Sequence, residues 1–125
     1  MKKIIVDTYL APAAVGTYSQ GVAHNGVYYF SGQIGLDPNT QTLAEGFSNQ
    51  LKHVMANIYG LLKSQDLSRE NIIKTTIFLT DLKNFTEVNR TYQEFFTAPY
   101  PARSTVQVSA LPKDALVEIE VIAAR

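Results

Sequence analysis

Residues 101–125 read PARSTVQVSALPKDALVEIEVIAAR, and the order of polar and apolar side chains in this stretch decides how the chain is built. Two alternating runs flank Leu111-Pro112-Lys113-Asp114, a composition suited to a turn between strands. Successive strand side chains leave opposite faces, so Val117, Ile119 and Val121 point one way while Glu118, Glu120 and Ile122 point the other. The first of these faces is core, and the second is mixed, neither fully wet nor fully oily. In the earlier run Arg103, Thr105 and Gln107 share a face, with Ser104, Val106 and Val108 on the reverse. A half-buried arginine is costly unless an anion meets it, and its planar fork matches a carboxylate. That anion is Glu118, Glu120 or a bound ligand, and a structural ion pair across two strands is the plainest of these readings.

Register complicates the ion pair. A hairpin centred on Leu111–Asp114 sets Arg103 opposite Ala123 and Glu118 opposite Val108, which leaves the two charges roughly 17 Å out of step. A site that uses both then requires a different strand pairing, a bulge, or a neighbouring copy of the chain that brings one group to the other. We take the last of these. The mixed face of the final strand also suits packing against copies of itself, which points to a closed homo-oligomer.

Upstream, Asn25-Gly26 in VAHNGVYYF (residues 22–30) is the dipeptide of a tight hairpin turn. Leu51, Val54, Met55, Ile58 and Leu62 recur at helical spacing, so an amphipathic helix is predicted over about residues 44–64. The β-branched run NIIKTTIFLT predicts a central strand from about Ile72 to Thr80. A second helix follows, with Phe85, Val88, Tyr92, Phe95 and Phe96 on one face. Asn84 is its expected cap, Glu87 completes a capping box, and Pro99 and Pro101 end it. Strand, hairpin, helix, strand, helix and two strands make an α+β sheet whose helices cover one face.

The 125 residues suit a single domain, 1–125, with one core. Charged residues make up 18% of the chain, below the typical figure of about 25%, which again suggests surface covered by other copies. Eleven Lys and Arg balance eleven Asp and Glu, so no net field draws the chain to nucleic acid or to an anionic membrane. The absence of cysteine excludes disulfides, thiolate metal sites and cysteine nucleophiles. Residues 1–16 lack the sustained apolar core of an export signal, and no run is long enough to span a membrane, so a cytoplasmic protein is expected.

The other candidates are weaker. His24 lies in a turn and His53 on a polar helix face, far apart in sequence, and no metal site is expected. Ser31 lacks the spacing of a nucleophile elbow and suits hydrogen bonding, and Gly16, Gly32 and Gly35 form no phosphate-binding fingerprint. The aromatic residues suit core and interface better than base stacking, since no basic groove accompanies them.

Four segments, APAAVGTYSQGV, YYFSGQIGLDP, IIKTTIFLTDLKNFTEVNRTYQEFF and PARSTVQVSALPKDALVEIEVIA, together resemble the reactive intermediate deaminase A (RidA or YjgF) family, in order and over nearly the whole chain. The resemblance implies a chorismate-mutase-like α+β subunit with a mixed sheet of about six strands, two helices on one face, and a homotrimer with clefts between subunits. It also implies hydrolysis of 2-imino acids, the unstable products of pyridoxal-phosphate dehydratases, to 2-oxo acids and ammonia. The expected partners are a small 2-imino or 2-oxo acid and further copies of the chain, without cofactor, metal, nucleic acid or membrane. By position, Arg103 becomes the carboxylate-binding arginine, Glu118 the acid that orients or activates water, and Tyr18 the site tyrosine. Ser31, Gly32 and Asn89 fall on substrate-binding positions, and the backbone carbonyl near Thr105 accepts from the iminium nitrogen. Two departures stand out: Thr105 replaces a frequent cysteine, and Thr17 replaces a proline before the site tyrosine, while the loop TAPYP ahead of Arg103 is short. Rival readings are a carboxylate-binding trimer without useful turnover and, with less support, an RNA-cleaving activity.

Overall fold

The computed structural model describes residues 2–125. Six strands, β1 (Ile4–Val6), β2 (Gly21–His24), β3 (Val27–Phe30), β4 (Ile72–Leu79), β5 (Ala102–Gln107) and β6 (Val117–Ala124), form one sheet in the order β1-β2-β3-β6-β4-β5. Helix α1 (Phe47–Ser64) follows β3, and helix α2 (Phe85–Phe95) follows β4. Every neighbouring pair is antiparallel except β4 and β5, which run parallel and are joined by α2. Because β3 and β4 both oppose β6, α1 also joins two parallel strands, with β6 slotted between them as a split βαβ unit.

The hairpin turn forms as expected: Asn25 and Gly26 both take positive φ, 53° and 79°, and His24 pairs with Val27. Helix α1 begins at Phe47 rather than 44, because its N-cap Gly46 takes φ 80° and ψ 157°, outside the helical region. Its predicted face is the buried one: Leu51, Val54, Met55, Ile58 and Leu62 all lie in the core with Ile77, Leu79, Val117, Ile119 and Val121. Each such side chain contributes about 1.5–3 kcal/mol by leaving water.

Two local expectations are corrected. Asn84 precedes α2 but makes no side-chain cap; Asp81 instead caps the preceding turn by accepting from the Lys83 amide at 2.9 Å. Glu87 accepts a hydrogen bond from the Ser48 hydroxyl and so ties α2 to α1 rather than closing a capping box.

The larger correction concerns residues 101–125. Strands β5 and β6 are not a hairpin, because β4 lies between them: Thr75 pairs with Arg103, and Phe78 pairs with Glu118. Burial explains the choice. Val117, Ile119, Val121 and Ala123 are all almost fully buried, so β6 belongs between two partners, whereas β5 has no buried residue and takes an edge.

Helices cover the face that carries these buried residues. The other face presents Tyr29, Ile122, Lys74, Thr76, Phe78, Glu118, Glu120 and Val106, none of them fully buried. It is the mixed surface expected from the alternation in β6.

Candidate functional site

Glu118 sits near the start of β6 on the open face, half-buried, beside a cleft of about 610 Å³. The segment after β3 runs alongside it: Gln33 and Ile119 exchange backbone hydrogen bonds at 2.8 and 3.1 Å, which lays Gly32 against the Glu118 side chain. A β-carbon at residue 32 would overlap the Glu118 carboxylate, so the close approach depends on glycine there. Burial first, and then the neighbouring Glu120 charge, push the Glu118 carboxyl above the usual carboxylate range. Among the described residues no cation pairs with it.

Tyr18 reaches the same cleft from the β1–β2 loop, with its side chain about half exposed. Ser31 fixes that loop. Its hydroxyl donates to the Ser19 carbonyl at 2.6 Å and its amide to the Gln20 carbonyl at 2.9 Å. Gln20 extends the scaffold: its buried amide accepts from Thr8 N at 2.7 Å and donates to the carbonyls of Thr8 (2.9 Å) and Pro12 (2.8 Å). Tyr18, Ser31, Gly32 and Glu118 thus share one cleft.

Arg103 is elsewhere. Residues three apart on one strand point to opposite faces, so the partners of Arg103 and Glu118 on β4, Thr75 and Phe78, place the two groups on opposite sides of the sheet. Their backbones are separated by roughly 14 Å within the sheet plane, from about 10 Å along the strands and two strand spacings across. Arg103 lies beside α2, where it donates to Asn89 Oδ1 at 2.8 Å and lines a cleft of about 420 Å³ with Asn89, Tyr92, Gln93, Tyr100 and Pro101. Thr105 occupies the same side of β5, and its hydroxyl is buried without a partner. A structural ion pair between Arg103 and Glu118 within one chain is therefore excluded by geometry.

The seven candidates divide: Tyr18, Ser31, Gly32 and Glu118 line one cleft, Arg103 and Asn89 line the other, and Thr105 lies on the Arg103 side of β5 outside that lining. Sequence reasoning missed Gln20 altogether, and no local signal marks it, because its partners lie 8–12 residues away. His24 is exposed at the hairpin, whereas His53 is half-buried, with Nδ1 at 2.9 Å from the Asn49 carbonyl oxygen. Among the described residues no cluster of three potential metal ligands occurs, and no helix is long and apolar enough to cross a membrane.

Comparison with known proteins identifies the family of the chain and of its fold. The sequence profile of the family described as Endoribonuclease L-PSP matches residues 8–125. The chain is 45% identical over 123 residues to a Salmonella typhimurium protein named 2-iminobutanoate/2-iminopropanoate deaminase, covering 96% of each. The crystal structure of RidA from an Antarctic Psychrobacter superposes with a TM-score of 0.95 at 43% identity, covering 98% of this chain and 99% of that one. That of E. coli TdcF with bound serine superposes with a TM-score of 0.93 at 41% identity, covering 98% of both. On this agreement in sequence, length and fold, the chain belongs to the Endoribonuclease L-PSP family, in the RidA/YjgF group that its four motifs resemble.

Proposed function

We propose that this chain is a 2-iminobutanoate/2-iminopropanoate deaminase that works without cofactor as a cytoplasmic homotrimer. In this reading the Arg103 edge of one copy meets the Glu118 cleft of the next. The observation that carries it is the Glu118 carboxyl, raised by burial, without a cation, and held against Gly32 in a cleft that Tyr18 also enters. An acid so tuned holds a proton more readily than an ordinary carboxylate and can both take and return one.

Arg103 binds the substrate carboxylate with the donors that Asn89 leaves free, a charge-assisted contact worth about 1.5–3 kcal/mol that also presents one face of the imine carbon. Glu118 accepts a proton from water as the water oxygen bonds to that carbon, and the C=N π pair moves onto nitrogen. The same carboxyl then returns the proton to the nitrogen of the carbinolamine. With the imine entering protonated, the C–N bond then breaks as the hydroxyl proton passes to the Glu118 carboxylate and the hydroxyl oxygen's electron pair forms C=O, so ammonia and the 2-oxo acid are released and one water is consumed for each ammonia. Tyr18 closes the cleft over the substrate, and Ser31, Gly32, Asn89 and the Thr105 carbonyl fix its orientation.

The test couples threonine and a pyridoxal-phosphate dehydratase to semicarbazide, which traps the free imine. Wild-type protein should suppress trapping, and Arg103→Ala should not. A second reading, a carboxylate-binding trimer with little turnover, draws support from the serine bound to TdcF. It requires that wild type leave trapping unchanged while 2-oxobutanoate still raises its melting temperature. Glu118→Gln separates the two: binding alone tolerates it, whereas hydrolysis falls by about ten- to a thousandfold. The family's endoribonuclease label finds no support in the balanced charge of the chain.

A further inference from the structure

Arg103 is exposed, on an edge strand, and carries no ion pair within the described chain, yet its guanidinium is held from three directions. Asn89 Oδ1 accepts from one nitrogen at 2.8 Å, while the rings of Phe85 and Tyr92 stand 5.3 and 5.0 Å from its central carbon. These three residues recur at i, i+4 and i+7, so one face of α2 forms the whole cradle.

Tyr92 is itself fixed at its far end. Its hydroxyl is 2.9 Å from the hydroxyl of Thr75, which is almost fully buried, and its ring packs against Phe96 with centroids 4.6 Å apart. Thr75 is also the strand partner of Arg103. The chain of contacts therefore closes on itself: from β4 across the ladder to β5, out along Arg103, back over the Tyr92 ring, and down its hydroxyl to β4. A long side chain with several free torsions is confined by a loop that begins and ends on one strand residue. Plain core packing at position 92 would be met by phenylalanine, since a buried hydroxyl stabilises the fold only if its partner is also supplied.

We propose that Tyr92, tethered by Thr75, is a positioning residue that sets the direction of the Arg103 guanidinium toward a bound carboxylate. This rests on the reading of Arg103 as the carboxylate anchor. Burial raises the Tyr92 phenol above its ordinary pKa, against the opposing influences of the Thr75 hydrogen bond and the Arg103 charge. The group accordingly stays neutral and acts through its ring and its hydrogen bond.

The experiment is a double-mutant cycle read by 2-oxobutanoate binding and by KM and kcat in the coupled assay. Tyr92→Leu should weaken binding and raise KM about five- to tenfold, and the same change in an Arg103→Ala background should have less than about a twofold effect. Tyr92→Phe and Thr75→Val keep the core filled, and each should raise KM by about twofold or more with kcat little changed. Melting temperature is recorded throughout. Lower melting temperatures with unchanged KM in Tyr92→Phe and Thr75→Val, or equal effects of Tyr92→Leu in both backgrounds, would overturn the proposal. If Arg103→Ala itself leaves 2-oxobutanoate binding intact, the anchor reading fails first and this inference falls with it.

Discussion

Gly32→Ala separates function from stability. A β-carbon built there meets the Glu118 carboxylate oxygen in outright overlap, with Glu118 Cδ at 2.8 Å and Cγ at 3.0 Å. The obstacle is the far end of a flexible side chain, not backbone, so the fold can yield by rotating Glu118 away. Residue 32 takes no positive φ, and alanine there loses less conformational entropy than glycine on folding, a gain of about 0.4–1 kcal/mol. Desolvation changes and the new rotamer of Glu118 offset this, so the stability change should lie within about 1 kcal/mol. Catalysis has no such escape, because misplacing a reacting group by about 1 Å costs on the order of a hundredfold. The imine-trapping assay should accordingly show kcat/KM down by about two orders of magnitude, close to the loss for Glu118→Gln, while the melting temperature moves by only a few degrees. Gly32→Ala at full activity with an intact fold would refute the claim that Glu118 acts from its place against Gly32. A collapse in stability would refute the claim that only a side chain yields.

Two further outcomes follow from the same cleft. The folded pKa of Glu118 is raised, so the folded chain binds more protons than the unfolded chain above the ordinary carboxylate pKa, and wild type loses stability as pH rises through that window. Glu118→Gln should therefore melt higher than wild type at pH 8 and level with it near pH 4, in parallel thermal scans. The reverse sign would show that a cation from outside the chain stabilises the carboxylate. Gln20→Ala strips four backbone groups of the β1–β2 loop, the Thr8 amide and the carbonyls of Thr8, Ala11 and Pro12, of their partner and should cost about 2–4 kcal/mol in urea unfolding.

Much of the fold was legible because periodicity is local. The face of α1, the hairpin at Asn25-Gly26 and the core side of β6 each follow from residues within one element. The pairing of β5 with β4 was not, because a turn at Leu111–Asp114 looks the same whether the next strand returns beside its predecessor or passes over to the far side of β4. Burial on β6 holds the missing information: four residues near zero exposure need neighbours on both edges. Alternation did assign Arg103 and Glu118 to their strand faces, yet only the topology shows that those faces are opposite. Helical spacing puts Tyr92 on the apolar face of α2, and it is buried there; its bond to Thr75 joins residues 17 apart, with no signature in either segment.

The two-sided placement of Arg103 and Glu118 has a genetic consequence. If each cleft joins the Arg103 edge of one copy to the Glu118 face of another, a single chain owns no site, only two halves of different sites. A chain damaged at Arg103 and another damaged at Glu118 then assemble with some junctions where both halves are sound. Two inactive alleles on opposite faces would complement each other in one cell, whereas two on the same face would not.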